Sequence, residues 1–143
     1  RAERQARIEA ANGDWRQEQT TTPEMATDKQ LGYLSDLIAE AREWTLTDSN
    51  ISLVRLNLNQ NDLIRTLRII TRDEWNANSD ELRAAWRAGL TAWVEAGCPL
   101  PEDALTKHNA SLFIDIIKAR GGYGLGALWA WLNREMLRGM VGR

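Results

Sequence analysis

The chain has one cysteine, one histidine and one phenylalanine in 143 residues, only three prolines, and no long apolar run. Each scarcity excludes something. A lone Cys98 cannot close an intramolecular disulfide, and it fits a reducing compartment. It sits in a loop before Pro99 with no partner residue in the sequence, and it reads as inert. A lone His108 leaves little for zinc or for Ser–His and Cys–His chemistry, which draw on several such residues at suitable spacing. In the first turn of a helix it reads as a surface or capping residue. No stretch approaches the roughly 20 apolar residues that span a bilayer. No secretory signal is visible either, although a chain opening at Arg1 without methionine leaves room for residues upstream. The expectation is a cytoplasmic protein with no membrane partner, in which Asn50-Ile51-Ser52 and Asn109-Ala110-Ser111 match the glycosylation triplet by chance.

Charge is also scarce in net terms. A formal value of −2 excludes the global basicity that advertises nucleic acid, so any basic surface must be local. Lysine is rare: of 18 Lys and Arg residues, only Lys29, Lys107 and Lys118 are lysines. The arginine excess has two readings, GC-rich coding or selection for phosphate forks and stacking. Against these scarcities stand seven tryptophans, Trp15, Trp44, Trp75, Trp86, Trp93, Trp129 and Trp131. Tryptophan fills cores and also anchors interfaces.

Length suits one domain with a core of its own, and the periodicity is helical throughout. Residues 1–12 form a polar, charge-mixed helix ended by Gly13, and 14–26 is a threonine-rich linker with Pro23. The bundle domain is expected over 27–143. Thr27 with Gln30 fits a capping box, followed by Leu31, Leu34, Ile38 and Ala41 on one stripe as far as about Trp44. Residues 46–59 partly alternate, through Ile51, Leu53, Leu56 and Leu58. They fit a short strand or a helix capped by Ser49, with helical or irregular structure preferred because no second strand is evident. A helix over Gln60–Trp75 buries Leu63, Ile64, Leu67 and Ile70. Ser79 caps the next, with Leu82, Trp86, Leu90 and Trp93 inward and Gly97 at its end. Thr106 caps a helix burying Ala110, Phe113, Ile114 and Ile117, which ends at Gly121-Gly122. A last helix over Leu125–Arg138 carries Leu125, Leu128, Trp129, Leu132 and Met136. The fold class is therefore all-α: a single five- or six-helix orthogonal bundle with a polar N-terminal helix and linker.

Nothing resembles a catalytic centre, and no cofactor or metal is implied. The acidic pairs Asp73-Glu74, Asp80-Glu81 and Glu102-Asp103 have no histidine at a useful spacing. The run from Gly121 to Gly126 follows a helix and lacks a Lys-Ser or Lys-Thr, so it reads as a C-cap and hinge, not a phosphate loop. Such a hinge would let the last helix take more than one docking angle. The arginines are more suggestive. Arg65, Arg68 and Arg72 fall at i, i+3 and i+7 on one expected helix. Arg83 and Arg87, and Arg134 and Arg138, each fall at i, i+4. Trp131 lies on the side of Arg134 and Arg138. Basic rows with an interleaved ring suit nucleic-acid backbone, with arginines on phosphates and the ring on a base. A solvated polar face with local ion pairs, or an acidic protein partner, fits the same spacing. Trp15, Trp129, Trp131 and Met136 are the candidate anchors for a protein partner or a second copy.

Two segments carry a resemblance. Thr27-Asp28-Lys29-Gln30-Leu31 with Tyr33 and Leu34, and Leu105-Thr106-Lys107-His108-Asn109-Ala110-Ser111 with Ile114 and Ile117-Lys118, together cover about a fifth of the chain. They are similar to a short helical family of actinobacteria and their phages and plasmids, here split by an insertion over roughly 45–104. The family has no assigned activity, and similar modules look like appendages of phage recombination and strand-annealing proteins. In architecture the chain is also similar to the small helical subunits of CRISPR effector complexes. Both resemblances imply a non-catalytic subunit or accessory module contacting RNA or single-stranded DNA, beside other protein subunits.

Overall fold

The Gln30 N–H donates to the Thr27 hydroxyl at 3.1 Å, and the Thr27 N–H donates to the Gln30 side chain at 3.0 Å. This reciprocal cap opens the first helix of the computed structural model, which describes residues 24–142. The expected polar N-terminal helix, Trp15 and most of the linker lie outside the described residues.

Among the described residues six α-helices follow in order: α1 (Asp28–Leu46), α2 (Ile51–Leu56), α3 (Arg72–Glu95), α4 (Lys107–Arg120), α5 (Gly124–Leu132) and α6 (Arg134–Val141). No strand occurs among the described residues, and the only extended pairing there is an isolated bridge between Met25 and Thr106. The molecule is an all-α bundle. Residues 46–59 are helical as far as Leu56 and irregular over 57–59, within the preferred reading, but Asn50 and not Ser49 precedes α2, and it makes no side-chain cap.

α5 occupies the centre. It is buried from Gly124 to Ala130 and packs on α1, α3 and α4. A helix apolar on every face is stable only when enclosed in this way. α1 packs chiefly on α4, while α3 carries α2 and α6. Leu34 and Ile38 of α1, Leu82, Trp86 and Leu90 of α3, and Phe113 and Ile117 of α4 form the surrounding core.

Three tryptophans are seated on glycines. A Cβ at Gly122 would strike the Trp44 ring, one at Gly126 the Trp86 ring, and one at Gly89 the Trp129 ring. Trp86 and Trp129 meet edge to face, with centroids 5.8 Å apart. Three of the seven tryptophans are thereby used in packing. The glycines after α4 are consequently seats, not the expected hinge: Gly121 takes a positive φ to end α4, and Gly122, Gly124 and Gly126 allow close contact.

Two expected helices are redrawn. Gln60–Trp75 is not one helix. A single π turn over Asp62–Thr66 closes with the Leu67 N–H donating to the Asp62 carbonyl at 2.7 Å, and the chain then leaves helical geometry. Arg68 has φ 55°, and Ile69 and Ile70 both enter the core. The cause is a second capping box, Thr71 with Glu74, which forces a new helix to begin at Arg72. α3 then runs through Ser79, which caps nothing, with a single distorted residue at Asn78. The expected last helix is also two. It breaks at Asn133, whose side chain donates back to the Trp129 carbonyl at 2.9 Å.

Candidate nucleic-acid interface

Since the backbone leaves the helix after Thr66, Arg65, Arg68 and Arg72 do not form one row. Arg65 stands on the π turn and Arg68 on the left-handed residue beyond it. Arg72 begins α3 and donates to the Gln60 side chain at 3.0 Å. The fold replaces the row with a different grouping. Arg68 joins Arg134 and Arg138 of α6 around a shallow depression of about 400 Å³, floored by Leu67 and Ile69 and shared with Glu135.

The three guanidinium groups are in different states. Arg68 has no hydrogen bond or ion pair among the described residues and is exposed. Arg134 lies 3.9 Å from the centroid of the Trp131 ring and donates to the Trp131 carbonyl at 2.9 Å. Arg138 donates to the Glu74 carboxylate at 2.7 Å and reaches the Ile69 carbonyl at 3.4 Å. Glu74 is held below its ordinary value, first by the Thr71 N–H and then by Arg138. Arg134 and Arg138 are thus fixed in place, and only Arg138 faces a carboxylate.

The remaining candidates divide. Arg83 covers the ring of Trp75 at 5.1 Å, and Arg87 is exposed, its guanidinium without a partner among the described residues. Trp131 is half-buried, with its ring edge to face on Phe113 at 5.2 Å and Arg134 over it. That covered ring does not offer the open stacking face expected of it. Trp129 is 4% exposed, packed between Trp86 and Gly89, so it is a core residue and not a docking anchor. Met136 is exposed, as a partner contact requires.

The motif that carried the resemblance has a structural job. The Gln30 amide donates to the Lys107 carbonyl and to the Ser111 hydroxyl, each at 3.3 Å. Thr106 caps α4 through the Asn109 N–H at 3.1 Å. Glu24 and Ala26 pair with Lys107 and Leu105 through their backbones. The two motif segments are one clasp between α1 and α4, separated in sequence but joined in space.

Two features escaped the sequence. The first is a buried ion pair. The Arg120 guanidinium clamps the Asp62 carboxylate with bonds of 2.6 and 2.9 Å, where Asp62 is 6% exposed. This pair sits in a polar cavity of about 230 Å³ beside Asn57, Asn59, Tyr123 and Trp86. The Trp86 indole N–H is buried without a hydrogen-bond partner among the described residues. The second is an apolar groove of about 790 Å³ between α1 and the loop before α4. Cys98 lies in its wall, and burial pushes its thiol up to about 11. Among the described residues no group of three or more His, Cys, Asp or Glu is placed to hold a metal ion. His108 is exposed. No helix among those residues is long and apolar enough to cross a membrane.

No protein-family model matches this sequence, and neither a curated protein nor a solved structure is detectably similar to it.

Proposed function

We propose that this chain is a non-catalytic helical module of a nucleic-acid-handling complex, of the CRISPR small-subunit or phage and plasmid DNA-processing kind. It holds the phosphate backbone of RNA or single-stranded DNA through Arg68, Arg134 and Arg138, with Arg65 and Arg72 nearby in sequence. The observation that carries this reading is the grouping itself. Arg68 comes from the break before α3 and the other two from α6, yet they border one shallow depression. Arginine makes forked contacts with phosphate oxygens, and three such contacts position a strand without reading its sequence. The one thiol, pushed up to about 11 by burial, is a poor nucleophile near neutral pH.

The test is a titration of short fluorescent RNA and DNA strands at several salt concentrations. For single strands each phosphate neutralised contributes about −0.7 to the log–log salt slope, so loss of two contacts should flatten it by about 1.4. The double variant Arg68→Ala, Arg134→Gln leaves the Arg138–Glu74 pair intact. An unchanged slope in that variant refutes the assignment. No binding at low salt favours the alternative, a protein adaptor or homo-oligomer docking through the exposed side of α6 around Met136.

A further inference from the structure

The groove along α1 has apolar walls and acidic banks. We infer that it takes a helix of a partner protein, apolar along one stripe and basic on both flanks. The walls are Leu31, Leu34, Ile38 and Leu46 of α1, with Leu100 and Leu105 across from them. The one cation in the lining, Arg42, is engaged, donating to the Val94 and Glu95 carbonyls at 2.7 and 3.3 Å. Glu43, the one carboxylate in the lining, is exposed, with no side-chain partner among the described residues. The banks repeat its charge. Asp36 stands seven residues before Glu43, which puts both on one edge of α1. On the opposite bank Glu95 precedes the lining residues Gly97 and Cys98, while Glu102 and Asp103 fall between Leu100 and Leu105. These four carboxylates are also exposed and without a partner among the described residues. Of the nearby lysines, Lys107 is paired with Glu24 at 3.4 Å, and Lys29 lies before Leu31, at the end of α1 where the groove begins.

That pattern selects among occupants. Nucleic acid and anionic lipid would bring negative charge to negative banks. A second copy seated by a two-fold contact would set the same carboxylates against each other, which like-charge repulsion penalises. A helix with Lys or Arg on each side of an apolar stripe places a cation beside each bank. The dimensions agree. The groove side of α1, from Leu31 to Leu46, is about 22 Å long at helical rise, about four turns. Four turns hold apolar anchors at i, i+3 or i+4, i+7 and i+11. The form agrees as well. An extended peptide needs a row of free backbone groups to pair with, and the α1 backbone is spent inside its own helix. A docking helix satisfies its own backbone and presents only side chains.

The test is a displayed library of helical peptides of about 16 residues, selected on the full chain. Leucine is fixed at the anchor positions, and the flanking positions are free to be Lys, Glu or Ser. Selection should enrich Lys on both flanks. No selected peptide, or flanks enriched in Glu or Ser, overturns the inference. A selected peptide is then titrated by fluorescence anisotropy against two double variants, each checked for helicity by circular dichroism. Glu43→Lys with Glu95→Lys reverses one charge on each bank, and should weaken binding about tenfold or more. Ser35→Gln with Ala39→Gln lays two neutral amides over the groove from exposed lining positions, and should weaken it comparably. Binding that survives the second variant is charge attraction elsewhere on the surface, and overturns the site. Self-association in light scattering that the peptide reverses assigns the groove to a second copy, and overturns the heterologous partner. The groove and the arginine depression share no residue, so the outcome is independent of nucleic-acid binding.

Discussion

Removing the Arg120 guanidinium should cost far more stability than removing the Asp62 charge, although the two form one ion pair. The asymmetry follows from burial. The Asp62 side chain is 9% exposed and the Arg120 side chain 25%. In Arg120→Met the carboxylate stays inside, stripped of both its bonds, and an orphaned buried charge costs about 3–5 kcal/mol. In Asp62→Asn the guanidinium keeps a neutral acceptor and turns its exposed quarter to water. That loss is nearer the cost of an impaired polar contact, about 1–2 kcal/mol. A domain of this size has only about 5–15 kcal/mol in total, so Arg120→Met removes a large share. Urea denaturation at pH 7 measures both variants, with the midpoint moving and the slope unchanged. Equal losses in the two single variants would refute the argument from burial.

Two glycine substitutions should act with opposite sign. Gly32→Ala has open space in mid-helix and should stabilise by about 0.5–1 kcal/mol, whereas Gly126→Ala drives a methyl into the Trp86 ring and should cost about 1–3 kcal/mol; thermal melts of both variants check the pair. Glu74, ordinarily at 4.5, is lower in the folded chain, so its stabilising effect is present above 4.5 and lost as pH falls through its folded value. Glu74→Gln should therefore weaken the acid dependence of unfolding below that point. With the Cys98 thiol at about 11 instead of 9.0, thiolate at pH 8 falls about a hundredfold, and labelling by a disulfide reagent should be slow until the protein unfolds. Complete labelling of folded protein within minutes contradicts the burial.

The helices that sequence located best are those whose start signal and apolar stripe agree. Thr27 with Gln30 and Thr106 with Ala110, Phe113 and Ile117 are such cases, and α1 and α4 lie where expected. The misread region shows where periodicity misleads. Leu63, Leu67 and Ile70 continue a helical stripe past Thr66, where the helical geometry has ended, because full or partial burial at those positions is all that spacing reports. The correcting signal was legible: Thr71-x-x-Glu74 is a second capping box, of the same kind as the one recognised at Thr27. The break at Asn133 had weaker warning, with no glycine or proline at the site and only the side-chain bond to the Trp129 carbonyl to mark it. The arginine grouping and the Asp62–Arg120 pair were beyond reach of spacing, since each unites residues from distant segments. The packing of Trp44, Trp86 and Trp129 is legible only once the glycine beneath each ring is seen.

The clasp between Gln30 and Lys107 also sets a schedule for synthesis. The two residues are 77 positions apart, and translation at about 5–20 residues per second separates their emergence by about 4–15 s. For that interval α1 is complete but has no α4 to cover Leu34, Ile38 and Ala41. The apolar stripe of α1 therefore emerges seconds before the helix that covers it in the finished bundle.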